Sequence, residues 1–398
     1  MTFIHDENWI KFYQNGGFHL RRLFQYIIII FAFIIAWPFV KNQLEQSQYG
    51  MYFQKISSGV KVVQNTPEYE QAIDSFFDSI HELLIFLDQT IEQEPDEKQD
   101  TNKVPAKPEL QQPASNNFSI YNIELGNQRQ AVEAIMGSEQ RSTMNEYGLQ
   151  WSAYHQNYHN FVMVAYDKNN KVVGLYTNQD LVSSKKGITL GSSKDSVRKQ
   201  LGEPLSKLEK GTVYFQFDKK RDYDVYHLDG SYITFFYDKH EHNTVTAVQI
   251  INEKVEQSKQ DFYASESTQL REGFEYQLFD LTNATRVKFG LPVLTWNADV
   301  TGTAREHSLD MAENHYFDHQ NLKGQSPFDR MKEDEVVFTS AGENLAYGQF
   351  SSIFAHEGLM NSLGHRENIL RTEYEFLGVG VAFNTEAQPY YTENFFAN

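Results

Sequence analysis

The chain has 398 residues, more than one compact domain usually holds, so the sequence predicts at least two domains. It carries 35 basic and 53 acidic residues, and the net charge of -18 argues against a nucleic-acid partner, because a polyanion needs a positive surface. The absence of cysteine excludes disulfides, thiolate metal sites and cysteine nucleophiles. An aromatic content of 14% excludes a mainly disordered chain.

Residues 23–40 form an almost unbroken apolar run, which follows Arg21 and Arg22. A helix of this length spans roughly 27 Å, close to the hydrocarbon core of a bilayer. One interpretation is a cleaved signal peptide, but the run is long for that role and no small-residue cleavage site follows it. We therefore expect a single-pass anchor in the cell membrane, with residues 1–22 in the cytoplasm and the later domains outside the cell.

Residues 41–117 are predicted to form a stalk. Thr66 and Pro67 are typical of a helix start, and apolar residues at helical spacing then continue to Ile91. The apolar stripe over 67–91 needs a surface to pack against: the next domain, a second copy of the chain or a membrane surface. The polar, proline-containing segment 92–117 indicates a solvated linker.

The middle of the chain contains an internal repeat. Residues 123–137 and 188–202 share one pattern at a constant offset of 65 residues (188 minus 123), with a glycine turn, a helix and a glycine stop. Aromatic-rich, strand-like segments follow each copy, so we predict a duplicated small α+β domain over residues 118–260. His240, Glu241 and His242 fall on a predicted hairpin turn, where a solvated loop is a simpler interpretation than a metal site.

The last third predicts alternating helices and strands. Leucine and phenylalanine at helical spacing from Leu270 indicate a helix ending near Gly290, and a second helix follows over 298–315. Ser326 and Pro327 are typical of another helix start. We expect the segment 356–364 to form a helix that closes at Gly364, and 377–383 and 389–396 to form the final strands.

Residues 270–398 also carry a series of short motifs in a fixed order, including HSLDMA at 307–312, YFDH at 316–319, SPFDR at 326–330 and GENLA at 342–346. The other residues of the series are Asn283, Arg286, 290–291, 294–297, 360–362, 364–366, 368–370 and 378–382. This order resembles the CAP superfamily (cysteine-rich secretory proteins, antigen 5 and pathogenesis-related proteins) in its Gram-positive bacterial type. The repeat region resembles the CAP-associated N-terminal domain that accompanies it.

The resemblance implies an α-β-α sandwich with an open cleft over residues 265–398. The fold class expected for the whole chain is therefore α+β, with this sandwich preceded by the duplicated domain and an N-terminal transmembrane helix. In the family, two histidines and two acidic residues line the cleft and in some members hold a divalent metal, often zinc. The cleft residues implied here are His319, Glu343, His365, His307 and Asn344, and the first three are the candidate metal ligands.

This set of ligands departs from the family pattern, because the fourth position falls at or near Ser362, which is not acidic. Glu393 also stands where related sequences usually have glutamine. No catalytic residue is assigned. The string that begins at His356 lacks the second histidine of a zinc-protease HExxH motif, and no GxSxG nucleophile motif is present.

Three functions remain open at this point. The first is a membrane-anchored extracellular protein that binds cell-wall components or peptides in the cleft without catalysis. The second is a metal-dependent hydrolase of peptides or cell-wall material, and the third is the binding of lipids or small apolar ligands. The incomplete ligand set and the missing catalytic motifs favour the first function, binding without catalysis. Self-association through the apolar stripe at 67–91 is a further interaction that the sequence leaves open.

Overall fold

The structure is a computed structural model and describes residues 105–210, 213–259 and 261–398. The predicted anchor at 23–40 and the predicted stalk helix at 67–91, with its self-association, lie outside these described residues. Within the described ranges, every helix is too short or too polar to cross a membrane.

The described residues form a mixed α+β fold, as the sequence predicts. The helices are α1 (Arg129–Met136), α2 (Lys194–Leu201), α3 (Glu253–Ser258), α4 (Thr268–Lys288), α5 (Ala298–Asn314), α6 (Pro327–Glu333), α7 (Ser352–Met360) and α8 (Leu363–Ile369). The strands are β1 (Phe118–Ile120), β2 (Arg141–Met144), β3 (Gln150–Gln156), β4 (His159–Tyr166), β5 (Val172–Thr177), β6 (Val182–Ser184), β7 (Lys207–Lys210), β8 (Val213–Gln216), β9 (Tyr223–Leu228), β10 (Ser231–Asp238), β11 (Thr244–Asn252), β12 (Thr295–Trp296), β13 (Ser340–Tyr347), β14 (Phe376–Phe383) and β15 (Pro389–Ala397).

Residues 118–258, which we call the seven-stranded domain, are built around an antiparallel sheet in the order β2-β3-β4-β5-β11-β10-β9. The segments that follow the two repeated segments each supply three neighbouring strands, β3-β4-β5 and β9-β10-β11, and the two sets meet where β5 pairs with β11; β2 lies beside β3 at the edge. The helices of the repeated segments, α1 and α2, end at Gly137 and Gly202, whose φ angles of 77° and 84° are nearly equal. These left-handed angles favour glycine, which explains the stop in both copies. His240, Glu241 and His242 lie exposed on the turn between β10 and β11.

Both faces of this sheet are buried. On one face, Val132 of α1 and Val197 of α2 pack into an apolar core. On the other face, the second core contains sheet residues together with Leu281 of α4 and Ile353 of α7. The far face of the sheet is therefore covered by helices from the C-terminal part of the chain, and burial on both faces explains the unbroken apolar strands.

Residues 268–397, which we call the four-stranded domain, contain a sheet in the order β12-β14-β15-β13, so β13 is an edge strand. One core packs α4 and α7 against this sheet, and two smaller cores pack α5 and α6 against it. Helix α5 lies very close to β14: a Cβ atom at Gly380 would stand 2.0 Å from the backbone nitrogen of Arg305. Only glycine fits at that contact, because any side chain would collide with the helix backbone.

The predicted helices near 270–290 and 298–315 and the two final strands are confirmed as α4, α5, β14 and β15. The predicted helix start at Ser326 is confirmed as the N-cap of α6, with a capping box to Asp329.

One prediction in this region is wrong. The segment 356–364 is not a single helix closing at Gly364, because α7 ends at Met360 and α8 begins at Leu363. The break lies at Asn361, whose side chain donates to the carbonyl of Tyr237 (2.8 Å) and accepts from the backbone N–H of Lys239 (2.9 Å). These bonds to the seven-stranded domain turn the chain, and His365 consequently lies inside α8.

Buried polar contacts join the two domains. Tyr176 donates its hydroxyl to Glu357 at 2.7 Å, and burial raises the pKa of Glu357 to about 7. Asp280 on α4 accepts from Arg141 at 3.0 Å, and burial raises the pKa of Asp280 to about 6. Because these groups need their partners across the boundary, the two domains form one continuous packed structure.

Candidate functional site

The predicted cleft residues meet around the edge strand β13. Glu343 lies in β13, His319 lies in the loop between α5 and α6, and His365 lies on α8. The carbonyl of His365 accepts a hydrogen bond from Asn344 of β13 at 3.1 Å. Burial lowers the pKa of His365, and the nearby charge of His319 lowers it further, so the two imidazoles interact electrostatically. The structure thus brings the three predicted ligand residues to one strand edge.

The centre of this site is a buried carboxylate with two partners. Glu343 Oε1 accepts from His319 Nδ1 at 2.8 Å, and Glu343 Oε2 accepts from the guanidinium of Arg330 at 2.6 Å. Arg330 also donates to the carbonyl of His319 at 2.8 Å. The side chain of His319 is 53% exposed, whereas that of Glu343 is only 1% exposed. Arg330 therefore fixes both the carboxylate and the loop that carries the exposed imidazole.

The hydrogen bond from His319 to Glu343 raises the pKa of the imidazole. A carboxylate can only accept, so Nδ1 of His319 carries the proton in this pair, and Nε2 is left for other contacts. In the protonated imidazole, Nε2 is a donor, whereas in the neutral ring it is an acceptor. The raised pKa extends the pH range in which His319 presents a charged donor.

His307 and Asn344 have supporting positions. His307 is only 1% exposed, and its Nε2 lies 2.9 Å from the carbonyl of Asp318, next to His319 in the chain. Burial lowers the pKa of His307. Asn344 is fully buried and also donates to Glu393 Oε2 at 3.0 Å. His307 therefore supports the loop with His319, and Asn344 supports the helix with His365.

Glu393 is a buried acid below the site that sequence reasoning did not include among the cleft residues. It accepts from Asn344 and, at 2.9 Å, from the hydroxyl of Thr282 on α4. Burial raises the pKa of Glu393 to about 7.

Comparison with known proteins agrees with this geometry. Residues 279–395 match the family described as "Cysteine-rich secretory protein family" (CAP), and residues 125–262 match the one described as "CAP-associated N-terminal". Over 290 residues the chain is 30% identical to the membrane protein YlbC of Bacillus subtilis (strain 168), which covers 68% of this chain and 82% of that protein. The chain belongs to the CAP family. The resemblance inferred from the motifs is confirmed.

Two further proteins are similar to this chain. An extracellular protein containing an SCP domain from Bacillus anthracis strain Ames, known from a crystal structure, matches at a TM-score of 0.61 and 25% identity, over 74% of this chain and 100% of that chain. The protein YkwD of Bacillus subtilis (strain 168) is 42% identical over 107 residues, which cover 27% of this chain and 42% of that protein.

One of the CAP motif residues, Arg286, has a structural role. Arg286 is fully buried and donates to the carbonyls of Pro292 (2.8 Å), Ile369 (2.9 Å) and Arg371 (2.7 Å). Burial lowers the pKa of Arg286 to about 10. Arg286 therefore ties the segment after α4 to the chain at the end of α8, so its presence in the motif reflects the fold of the CAP domain and not the chemistry of the cleft.

Arg330 is the site residue that sequence reasoning missed. The SPFDR motif contains it, but the motif suggested only a helix start. A signal was present: Pro327, Arg330 and Met331 are spaced as one helical face, and all three are buried in α6. A buried arginine needs hydrogen-bond acceptors, and a carboxylate is the strongest of them, so its position on the apolar face favours a buried acid nearby.

The cleft residues do not fit a divalent metal ion as they are arranged. Both oxygens of Glu343 already accept hydrogen bonds, and one of these comes from a guanidinium, whose positive charge opposes a cation. In the described part of the chain, no group of three or more His, Asp or Glu side chains is placed to hold a metal ion. Zinc sites need three or four such ligands around one point.

The hydrogen bonds of the two cleft imidazoles were also compared with those of a nucleophile–base pair. In the described residues, no hydroxyl or amine hydrogen-bonds to the imidazole of His319 or His365, so no nucleophile is paired with a base there. His356 is buried at the domain boundary, 2.7 Å from the hydroxyl of Thr285, and burial lowers its pKa to about 3. The HExxH-like string is therefore part of the domain contact.

Exposed apolar side chains lie beside the imidazoles in sequence. Phe317 precedes His319 by two residues and is 48% exposed, and Leu363 precedes His365 by two residues and is 60% exposed. The ring of Phe317 packs 5.9 Å from that of Tyr347 at the end of β13. A cavity of about 600 Å³ lies elsewhere, between the two domains, and its lining includes Lys107, Asp180 and Lys288 but none of the cleft residues.

Proposed function

We propose that the chain is a membrane-anchored extracellular protein whose CAP cleft binds peptides or cell-wall components, without a metal ion and without catalysis. Three findings support the location: the apolar run at 23–40, the relative named a membrane protein, and the solved relative named an extracellular protein. The binding role is supported by the geometry of the cleft.

The observation that carries the proposal is that both carboxylate oxygens of Glu343 accept hydrogen bonds, one from His319 and one from Arg330. Because both oxygens of Glu343 are paired, the group of the site that remains available to a ligand is the exposed imidazole of His319, whose pKa is raised. A protonated imidazole donates to carbonyl and carboxylate oxygens, which extended peptides and peptide cross-links of cell walls offer in number. Phe317, whose ring packs against Tyr347 at the end of β13, supplies exposed apolar surface for a side chain of the ligand.

The test is a binding measurement on the full chain in detergent micelles. Fluorescently labelled stem peptides of peptidoglycan, and a pool of unstructured peptides, would be titrated at pH 6 and followed by anisotropy. We expect His319→Ala to weaken binding about tenfold, because one charge-assisted hydrogen bond is lost. His227→Ala, which removes a partly exposed imidazole from the seven-stranded domain, should leave binding unchanged. Equal binding by the wild type and His319→Ala would refute the cleft as the binding site.

The same samples separate the other functions. Cleaved peptides in the mass spectrum, with loss of activity in a chelator, would establish the metal-dependent hydrolase instead. Fatty acid or sterol that co-purifies in stoichiometric amount would establish lipid binding. The location is tested by adding protease to intact cells: removal of residues 118–398 supports the extracellular assignment, and their protection contradicts it.

A further inference from the structure

Helix α8, which carries His365, lies between the cleft strand β13 and the seven-stranded domain. On the cleft side, the carbonyl of His365 accepts from Asn344 at 3.1 Å, and Asn368 donates to the carbonyl of Glu343 at 3.2 Å. Asn368 also donates to the side-chain oxygen of Asn344 at 3.0 Å. Three hydrogen bonds thus tie α8 to β13, and none of them involves the imidazole of His365.

The imidazole of His365 has no hydrogen bond of its own that would hold it in the cleft. Its Nδ1 is buried without a partner, and Nε2 forms no hydrogen bond with any described residue. The imidazole of His319, in contrast, is fixed by Glu343 at 2.8 Å. Helix α8 has only seven residues, and its N-cap Ser362 makes no side-chain capping bond. The position of the His365 ring therefore depends on the contacts that hold α8 itself.

The end of β10 holds the start of α8 from the other side. Asp238 Oδ2 accepts from the guanidinium of Arg366 at 2.9 Å, and Arg366 directly follows His365 in the chain. Asn361, just before α8, bonds to the backbone of the two residues that flank Asp238. The side chains of Asp238 and Arg366 are only 7% and 9% exposed. Because water is largely excluded from this ion pair, each charge depends on the other.

The turn after β10 sets the direction of the Asp238 carboxylate. Asp238 Oδ1 accepts from the backbone N–H of His240 at 2.8 Å, and the carbonyl of Asp238 accepts from the N–H of Asn243 at 2.9 Å. His242 and Asn243 close the turn in the left-handed region, with φ angles of 58° and 54°. Since the turn holds Oδ1, Oδ2 is presented to Arg366. The segment 240–242 thus contributes through its backbone, although its side chains are exposed.

We propose that Asp238 is a positioning residue for ligand binding in the cleft: by holding Arg366 it fixes α8, and α8 places the imidazole of His365 where a ligand meets it. The role of Asp238 rests on the proposed function, in which the cleft binds peptides or cell-wall components. Side chains that bind a ligand need surroundings that hold them to within about 0.5 Å. Asp238 supplies this support from the seven-stranded domain, without touching the ligand itself.

A second buried ion pair of the same domain offers a matched control. The side chain of Asp224 on β9 is only 1% exposed and accepts two hydrogen bonds from Arg198, each at 2.8 Å. Arg198 lies on α2, which packs on the face of the sheet opposite to α4 and α7. Asp224→Asn therefore weakens a buried pair of the seven-stranded domain without removing any bond to α8.

The first measurement follows the His365 ring without a ligand. The full chain in detergent micelles, with ¹³C-labelled histidine, would be examined by NMR, and the His365 signal would be identified by its loss in His365→Ala. We expect Asp238→Asn to shift this signal and Asp224→Asn to leave it in place. Asn361→Ala, which leaves no buried charge unpaired, removes the two neighbouring bonds and should shift the same signal, so it serves if Asp238→Asn does not fold.

The second measurement tests whether the position of His365 matters to the ligand. With the labelled peptides of the binding test at pH 6, Asp238→Asn should weaken binding about fivefold, because the hydrogen bond from His365 to the peptide is lost. In a His365→Ala background, Asp238→Asn should have no further effect, since two changes that act through one contact are not additive. A general disturbance of the fold would instead weaken binding in both backgrounds.

Three results would overturn the role of Asp238. They are a His365 signal that neither Asp238→Asn nor Asn361→Ala shifts, a shifted signal with unchanged peptide affinity, and equal weakening of binding with and without His365. A failure of the proposed function is distinguishable from these. A wild type that binds none of the peptides refutes binding in the cleft, and the ring signal still decides whether Asp238 positions His365.

Discussion

Replacing Arg330 by glutamine tests the arrangement at the centre of the cleft. Arg330 is 7% exposed and donates to Glu343 at 2.6 Å and to the carbonyls of His319 (2.8 Å) and Gln325 (3.1 Å). The substitution leaves Glu343 buried, with His319 as the remaining partner of its carboxylate. Because breaking a buried ion pair from one side leaves an uncompensated charge, the protein should be strongly destabilised.

The size of the effect follows from the two ways in which the carboxylate can respond. If it stays charged, loss of the buried pair costs about 3–5 kcal/mol. If it takes up a proton, the cost at pH 7 is about 3.7 kcal/mol, since a glutamate in water has a pKa of about 4.3. Because the carboxylate can always take up a proton, the cost of protonation is the largest energy that the unpaired charge can cost. This cost falls to about 1 kcal/mol at pH 5. Loss of the two carbonyl contacts adds about 1 kcal/mol at either pH.

The assay is equilibrium unfolding of the full chain in urea at pH 7 and pH 5, followed by intrinsic fluorescence. We expect Arg330→Gln to lower the free energy of unfolding by about 4–5 kcal/mol at pH 7 and by about 2 kcal/mol at pH 5. The double variant Arg330→Gln/Glu343→Gln has no buried charge and should be more stable than the single variant at pH 7. A loss below about 1 kcal/mol at pH 7, or the same loss at both pH values, would refute the buried pair.

Three further predictions concern the same domain. Glu343→Gln should lower the pKa of His319 toward its ordinary value of 6.5, and NMR of the imidazole would measure this. In the wild type, the stabilisation from this pair is full below pH 6.5 and is lost as the pH rises through the raised pKa of His319. An unchanged pKa of His319 in the variant would contradict the contact. The free energy of unfolding of Glu393→Gln should rise relative to that of the wild type between pH 4.5 and pH 7, by up to about 3 kcal/mol. The reason is that the folded wild type holds a proton on Glu393 that the unfolded chain releases. A stability difference in urea unfolding that does not change with pH would contradict this raised pKa. Gly380→Ala on β14 should lower stability by about 3 kcal/mol or more, because its Cβ meets the backbone of α5. Gly302→Ala on α5 has open space around its Cβ and should be neutral or stabilising in a thermal melt.

The elements of the CAP domain were predictable because their signals are local. Helical spacing from Leu270 located α4, the dipeptide at Ser326 located the start of α6, and alternation located β14 and β15. The break between α7 and α8 was not predictable in this way. It depends on Asn361 bonding to the backbone of a strand more than a hundred residues earlier, and no local pattern records that contact.

The site shows the same division. His319, Glu343 and His365 could be named from the family motifs, and the structure brings them to one strand edge. Their state could not be read from the motifs, because it depends on Arg330, whose partner Glu343 is 13 residues away in sequence and on a different element. The missing acidic ligand had left a metal site open, and the guanidinium beside Glu343 is the physical reason to disfavour it.

The shared face of the seven-stranded sheet has a consequence for how this protein can be divided. If the chain were cut in the connector and the two parts separated, Trp151, Tyr176 and Phe236 on one part and Leu281 on the other would meet water instead of each other. Each part would then present a broad adhesive surface, of the kind that drives aggregation. Truncations and fusions that preserve solubility should therefore keep both domains together.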